Sequence, residues 1–289
     1  MRPDFQQIAE LFQLQMGDLT PELPAKTRKL TGRDANESAE LGRVSLGAGD
    51  FEAAIRHFQR TIEQRGAVDP VDAIELAAAY EYGDQIPQAY RQYQVALRKQ
   101  AELPDACLGL ADLFKRSGRV HDAFNTLEEL IAKEPANAYY RIKMAECLRD
   151  MGYPRRALLA AQTAVLCKPD ESFYHYWVGD LMIQLHENEG ALESLRAAIE
   201  LSPGDDFLYL RVAVALWRLD KKPEAIKAIR MASDLDPDKH LYHGMLEVLL
   251  EEVGHTVEAD LEGERADKMD QYDIELVRRT LEEMGLQAY

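Results

Sequence analysis

The chain has 289 residues, with 34 Lys+Arg against 51 Asp+Glu and a formal net charge of -17. No run approaches the roughly 18 consecutive apolar residues that a bilayer span needs, so membrane insertion is not expected. The acidic balance argues against a nucleic-acid partner, because affinity for a phosphate backbone is built from clustered Lys and Arg. Cys107, Cys147 and Cys167 have no paired metal-site spacing and are too scattered for a disulfide framework; they read as core thiols of a reducing compartment.

The first 16 residues form an amphipathic helix candidate, with Phe5, Ile8, Leu11 and Phe12 near helical spacing. Met1-Arg2-Pro3-Asp4-Phe5 lacks the apolar core of a secretory leader, which favours a cytoplasmic location. Pro21 and Pro24 then interrupt any continuous helix and mark an extended linker. Residues 1–35 are therefore read as a helix and linker that cap the array behind them or reach a partner.

From there a period takes over. Ala54, Ala89, Ala123, Ala157, Ala191, Ala225 and Ala259 are separated by 35 residues once and by 34 five times. Seven residues beyond the rungs lie Ala96, Ala164, Ala198, Ala232 and Ala266, with Thr61 and Leu130 in the same place. Pro135, Pro169, Pro203 and Pro237 keep the 34-residue step in phase. Within a unit the pattern predicts two helices. In the fourth unit the first runs over about Ala138 to Met151, Gly152-Tyr153-Pro154 forms the turn, and the second runs over about Arg155 to Cys167. Small residues on the first helix (Gly42, Ala77, Ala111, Ala145, Gly179, Ala213) should let the second approach closely.

Leu76-Ala77-Tyr80, Leu110-Ala111-Phe114, Val178-Gly179 and Val212-Ala213, followed by the alanine and proline ladders, resemble the tetratricopeptide repeat family. Seven units start near residues 35, 70, 104, 138, 172, 206 and 240, so that residues 36–267 are read as repeats. The family's tryptophan position is held instead by Ser38, Ala73, Cys107, Arg141, His175, Tyr209 and His243. The seventh unit has Gly263 where a large residue is expected and lacks the closing proline. The resemblance implies an all-α, right-handed superhelical solenoid of antiparallel helix pairs.

Residues 268–289 are read as a C-terminal capping helix, with Tyr272, Leu276, Val277, Leu281 and Met284 on its apolar face. The stretch from Glu251 to Tyr289 carries twelve acids and four bases, which fits either a solubilising cap or a surface for a basic partner.

Chemistry is sparse. His240 and His243 lie three apart on one helix, too little for a metal site, and no P-loop, dinucleotide glycine pattern or serine elbow occurs. Neither an enzyme nor a cofactor is expected. The resemblance implies a peptide-binding surface on the first helices, and places there Tyr139, Arg149, Phe173, Tyr176, Ile183, Phe207, Leu210, Val214, Trp217 and Arg218. Aromatic and apolar residues in such a place are anchors of an interface. The plain alternative is that some of them pack against neighbouring helices or the C-terminal helix. The expected function is a bacterial, cytoplasmic scaffold or adaptor that binds a protein or peptide partner. The alternative is an assembly subunit, a homo-oligomer included, acting through its convex face or its ends.

Overall fold

The computed structural model describes residues 35–100, 103–269 and 272–287. The expected N-terminal helix lies outside them. Among the described residues there are fifteen α-helices and no strand. In chain order they are α1 (Ala35–Gly47), α2 (Phe51–Arg65), α3 (Pro70–Tyr82), α4 (Ile86–Lys99), α5 (Pro104–Arg116), α6 (Val120–Lys133), α7 (Ala138–Asp150) and α8 (Pro154–Cys167). Then follow α9 (Ser172–Gln184), α10 (Asn188–Leu201), α11 (Asp206–Arg218), α12 (Lys222–Leu235), α13 (His240–Glu252), α14 (Thr256–Ala266) and α15 (Ile274–Glu283). They form the paired helix-turn-helix units of a tetratricopeptide-type solenoid. The chain divides into two compact units, one up to Leu113 and the other from Phe114 onward.

Each pair is joined by the same turn, for the same backbone reason. Gly49, Gly118, Gly152 and Gly254 all stand at φ between +76° and +83°. In the other three pairs the left-handed position is held by Asp84, His186 and Asp220, at φ of 58°, 61° and 59°. The following residue then donates its N–H back into the first helix, as Tyr153 does to the Leu148 carbonyl at 2.8 Å and Glu187 to that of Met182 at 2.9 Å. This is the pattern that satisfies orphan carbonyls at a helix end. Starts are equally local. Asn137 accepts from the N–H groups of Tyr139 and Tyr140, and the Asp205 carboxylate accepts from Phe207 N–H at 3.1 Å.

The alanine ladders are the seams. Every rung from Ala54 to Ala259 is buried, as are Gly42, Ala77, Ala111, Ala145, Gly179 and Ala213 on the first helices. A Cβ placed on Gly42 would lie 2.6 Å from the Phe58 ring, and one on Gly179 would lie 2.7 Å from Leu195 Cγ. The small residue of the first helix thus receives the large residue of the second. The seventh pair exchanges the sizes: Glu247 stands at the small position and Gly263 at the large one, with a Cβ on Gly263 only 2.4 Å from Glu247 Oε1. Burial, followed by the charges of Glu251, Asp267 and Asp260, raises the Glu247 carboxyl above its ordinary range.

The missing tryptophans have a common substitute in the second unit. Arg141 Nε, His175 Nε2, Tyr209 Oη and His243 Nε2 reach the carbonyls of Pro135, Pro169, Pro203 and Pro237 at 3.1, 2.7, 3.1 and 3.0 Å. Each is six residues beyond its proline, so the first helix of a pair is tied to the end of the preceding one by a polar side chain.

The turns make a test of opposite signs. Gly152→Ala puts a Cβ at a left-handed position and should cost about 1–2 kcal/mol. His186→Gly relieves the equivalent strain, about 1–2 kcal/mol, against roughly 0.5–1 kcal/mol of extra glycine entropy, and should leave stability equal or higher. Thermal unfolding followed by circular dichroism reads both; a shift of the same sign in the two variants would contradict a shared left-handed turn.

Candidate functional site

In the unit from Phe114 onward the first helices lie side by side, α9 touching both α7 and α11. They form one face. On α7, Arg149 lies over the Trp177 ring of α9 at 4.9 Å from its centroid, and the Lys143 ammonium lies 5.6 Å from that of Tyr139. Phe173 meets Trp177 edge-on at 6.3 Å, and Tyr176 bridges to Phe207 of α11 at 5.9 Å. Tyr139, Arg149, Phe173, Tyr176 and Phe207 are half-buried, so a strip of aromatic edges beside a guanidinium remains open.

The rest of the expected surface is covered. Ile183, Leu210 and Val214 are fully buried, Trp217 is nearly so, and all four share an apolar cluster with Val277, Leu281 and Met284. These four are corrected from open groove residues to core. Val277, Leu281 and Met284 belong to α15 and its C-terminal cap, and α15 packs on α13. At its start, the Asp273 carboxylate accepts from Leu241 N–H at 2.9 Å and stands 2.9 Å from His240 Nδ1. One turn along, the Val277 methyls lie 3.6 and 3.7 Å from where a Cβ on Gly244 would sit. At its end, Arg218 Nε donates to the Glu283 carbonyl at 2.7 Å, and its Nη1 donates to the Ile183 carbonyl. Arg211 places one nitrogen 2.7 Å from the Glu283 carboxylate and another 2.6 Å from Asp180. The C-terminal helix therefore lies along α13 and meets α11 at its end.

Arg211 escaped the sequence reading. Its signal was a lone charge within Leu210-Arg211-Val212-Ala213-Val214, a run that should be apolar unless the charge has a buried partner. Burial alone would lower its pKa, but Asp180 and Glu283 outweigh that and hold the guanidinium above its ordinary value. Burial likewise pushes the Tyr176 hydroxyl up, keeping it neutral.

A second buried cluster sits on α7. The Lys115 ammonium pairs with Glu146, and Lys143 Nζ lies 4.0 Å from the same carboxylate. Burial raises the Glu146 carboxyl, yet Lys143 and Lys115 together bring it below the ordinary glutamate range. Among the described residues no group of three or more His, Cys, Asp or Glu is placed to hold a metal ion, and no helix is long and apolar enough to cross a membrane.

This geometry defines a class, the tetratricopeptide repeat array. The family model described as tetratricopeptide repeat matches residues 179–240, which cover α10, α11 and α12 with most of their connections. A tetratricopeptide repeat protein of Parabacteroides merdae superposes with a TM-score of 0.63 at 14% identity, over 87% of this chain and 98% of its own. PilF of Pseudomonas aeruginosa gives 0.57 at 15% identity, over 72% and 96%, and MamA of Desulfovibrio magneticus RS-1 gives 0.52 at 20%, over 56% and 92%. At these identities the likeness is one of fold. No curated protein is significantly similar to the chain in sequence.

A depressed Glu146 stabilises the fold above the carboxyl's unfolded pKa, and that contribution disappears as pH falls through the lower folded value. Glu146→Gln leaves two lysines without this carboxylate and should cost about 3–5 kcal/mol at neutral pH. Denaturant titrations from pH 7 down to pH 3 should show the gap between wild type and variant narrowing; a constant gap would refute the assignment.

Proposed function

We propose that the protein is a non-enzymatic protein-binding scaffold, and that it holds a partner segment on the face made by its first helices. The observation that carries this reading is that the face already holds a helix, α15, by apolar contact and two arginines. Upstream of α15 the strip of Phe173, Tyr176 and Phe207, with Tyr139 and Arg149 nearby, offers what interface cores are made of: aromatic rings and a guanidinium. Such a strip anchors an extended or helical peptide, and Arg149 pairs an acidic group on it.

Co-purification with the full chain, followed by titration calorimetry with the captured partner, tests the strip. Phe173→Ala combined with Phe207→Ala should weaken binding by about 2 kcal/mol or more, with helicity retained. Unchanged affinity in a folded double variant would remove the strip from the binding surface.

A second reading, self-association, is favoured by α8. Leu159 and Leu166 stand two turns apart on one side of that helix and are 65% and 82% exposed. Light scattering over a hundredfold concentration range should then show a dimer or larger species that Leu159→Glu with Leu166→Glu returns to monomer. A monomer throughout the wild-type series would dispose of this reading.

A further inference from the structure

We infer that the face of α9, α11 and α13 is a groove for a short amphipathic helix with an acidic last turn, that its ligand is such a helix on a partner protein, and that α15 is the resident the partner displaces. This rests on the scaffold reading and names the partner's class.

The groove recognises both ends of its occupant. At the N-terminus, a carboxylate at the capping position meets the free Leu241 N–H and His240. At the C-terminus, Arg218 takes a main-chain carbonyl and Arg211 takes the side chain of the same residue, Glu283. Two guanidiniums thus face the negative end of a helix dipole, a placement that fixes the direction in which a helix can bind. Between the ends, Val277, Leu281 and Met284 recur at spacings of four and three, one side of a helix, and enter the apolar cluster. The opposite side is polar and satisfies itself, Arg278 bonding Glu275 and Glu282 of the same helix.

The same contacts show why the resident can leave. Without Glu283, Arg211 keeps Asp180 at 2.6 Å and Arg218 keeps the Ile183 carbonyl, so neither guanidinium loses its last partner. With ten residues, α15 is shorter than helices that hold themselves in water, and its helicity depends on the wall. It also departs from the stacking of the repeats. Second helices of the repeats pack on the first helix of the next pair, as α10 does on α11 and α12 on α13, whereas α15 packs on α13, the first helix of the pair preceding it.

The probe is a fluorescein-labelled peptide of this chain's own residues, Tyr272 to Gln287, and the readout is fluorescence anisotropy on full-length protein. Val277→Asp with Leu281→Asp removes the resident's anchors and leaves the wall untouched. This variant should bind the wild-type peptide at least tenfold more tightly than the wild-type protein does. Adding Arg218→Gln to the protein, or Glu283→Lys to the peptide, should cut that affinity at least fivefold. A variant that keeps its helical circular dichroism and binds no better than wild type overturns the inference. Amide hydrogen exchange on the wild type gives a second reading that needs no variant: α15 should exchange at least tenfold faster than α13, and equal protection would make α15 part of the cooperative array. Neither measurement uses a captured partner, so their failure leaves the test of the Phe173 and Phe207 strip standing.

Discussion

Two helices can close to a repeat's spacing only where one of them gives up its side chain, and that exchange of sizes recurs through the molecule. Gly42 receives Phe58, Gly179 receives Leu195, and the alanine rungs are buried throughout. Because the complementarity is needed once per pair, it imposes the 34-residue period on the sequence. The fourth pair is small on both sides, with Ala145 and Ala161, and the seventh exchanges the sizes. With Glu247 at the small position, Gly263 must vacate the large one, and what looked like decay is a swap. Burial, with other acids nearby, weakens the ionisation of the Glu247 carboxyl.

Polar groups do the work between pairs that a large aromatic would do by packing. Arg141, His175, Tyr209 and His243 differ in charge, size and shape, yet each delivers a donor to a proline carbonyl six residues back. Four different side chains solve one geometric problem because the repeated backbone presents the acceptor at the same place each time.

The C-terminal helix changes what the face of the first helices means. Leu210, Val214 and Ile183, where a ligand surface was expected, are core, and they share one apolar cluster with Val277, Leu281 and Met284 of this chain's own C-terminal segment. Arg211 and Arg218 belong to the same arrangement: each contacts both the wall and α15, and together they join two first helices, α9 and α11, to one short helix. What remains open is the aromatic strip upstream, where Tyr176 and Phe207 meet.

Local chemistry was legible in the sequence. Helix pairs, left-handed turns and buried seams follow from spacing, glycine and small residues, since each depends on contacts within about one repeat. Tyr139, Arg149, Phe173, Tyr176 and Phe207 could be placed on one face by register alone, and the structure leaves them half-open. The fate of Ile183, Leu210, Val214 and Trp217 could not be read that way. Periodicity says which side of a helix a residue takes, but it does not say whether a segment 60 to 100 residues later returns to lie against that side. Glu283 reaches Arg211 across 72 positions and Arg218 across 65. Contacts of that range are decided by the shape of the assembled wall and by the buried charge that must find a partner on it, and only the tertiary structure holds both.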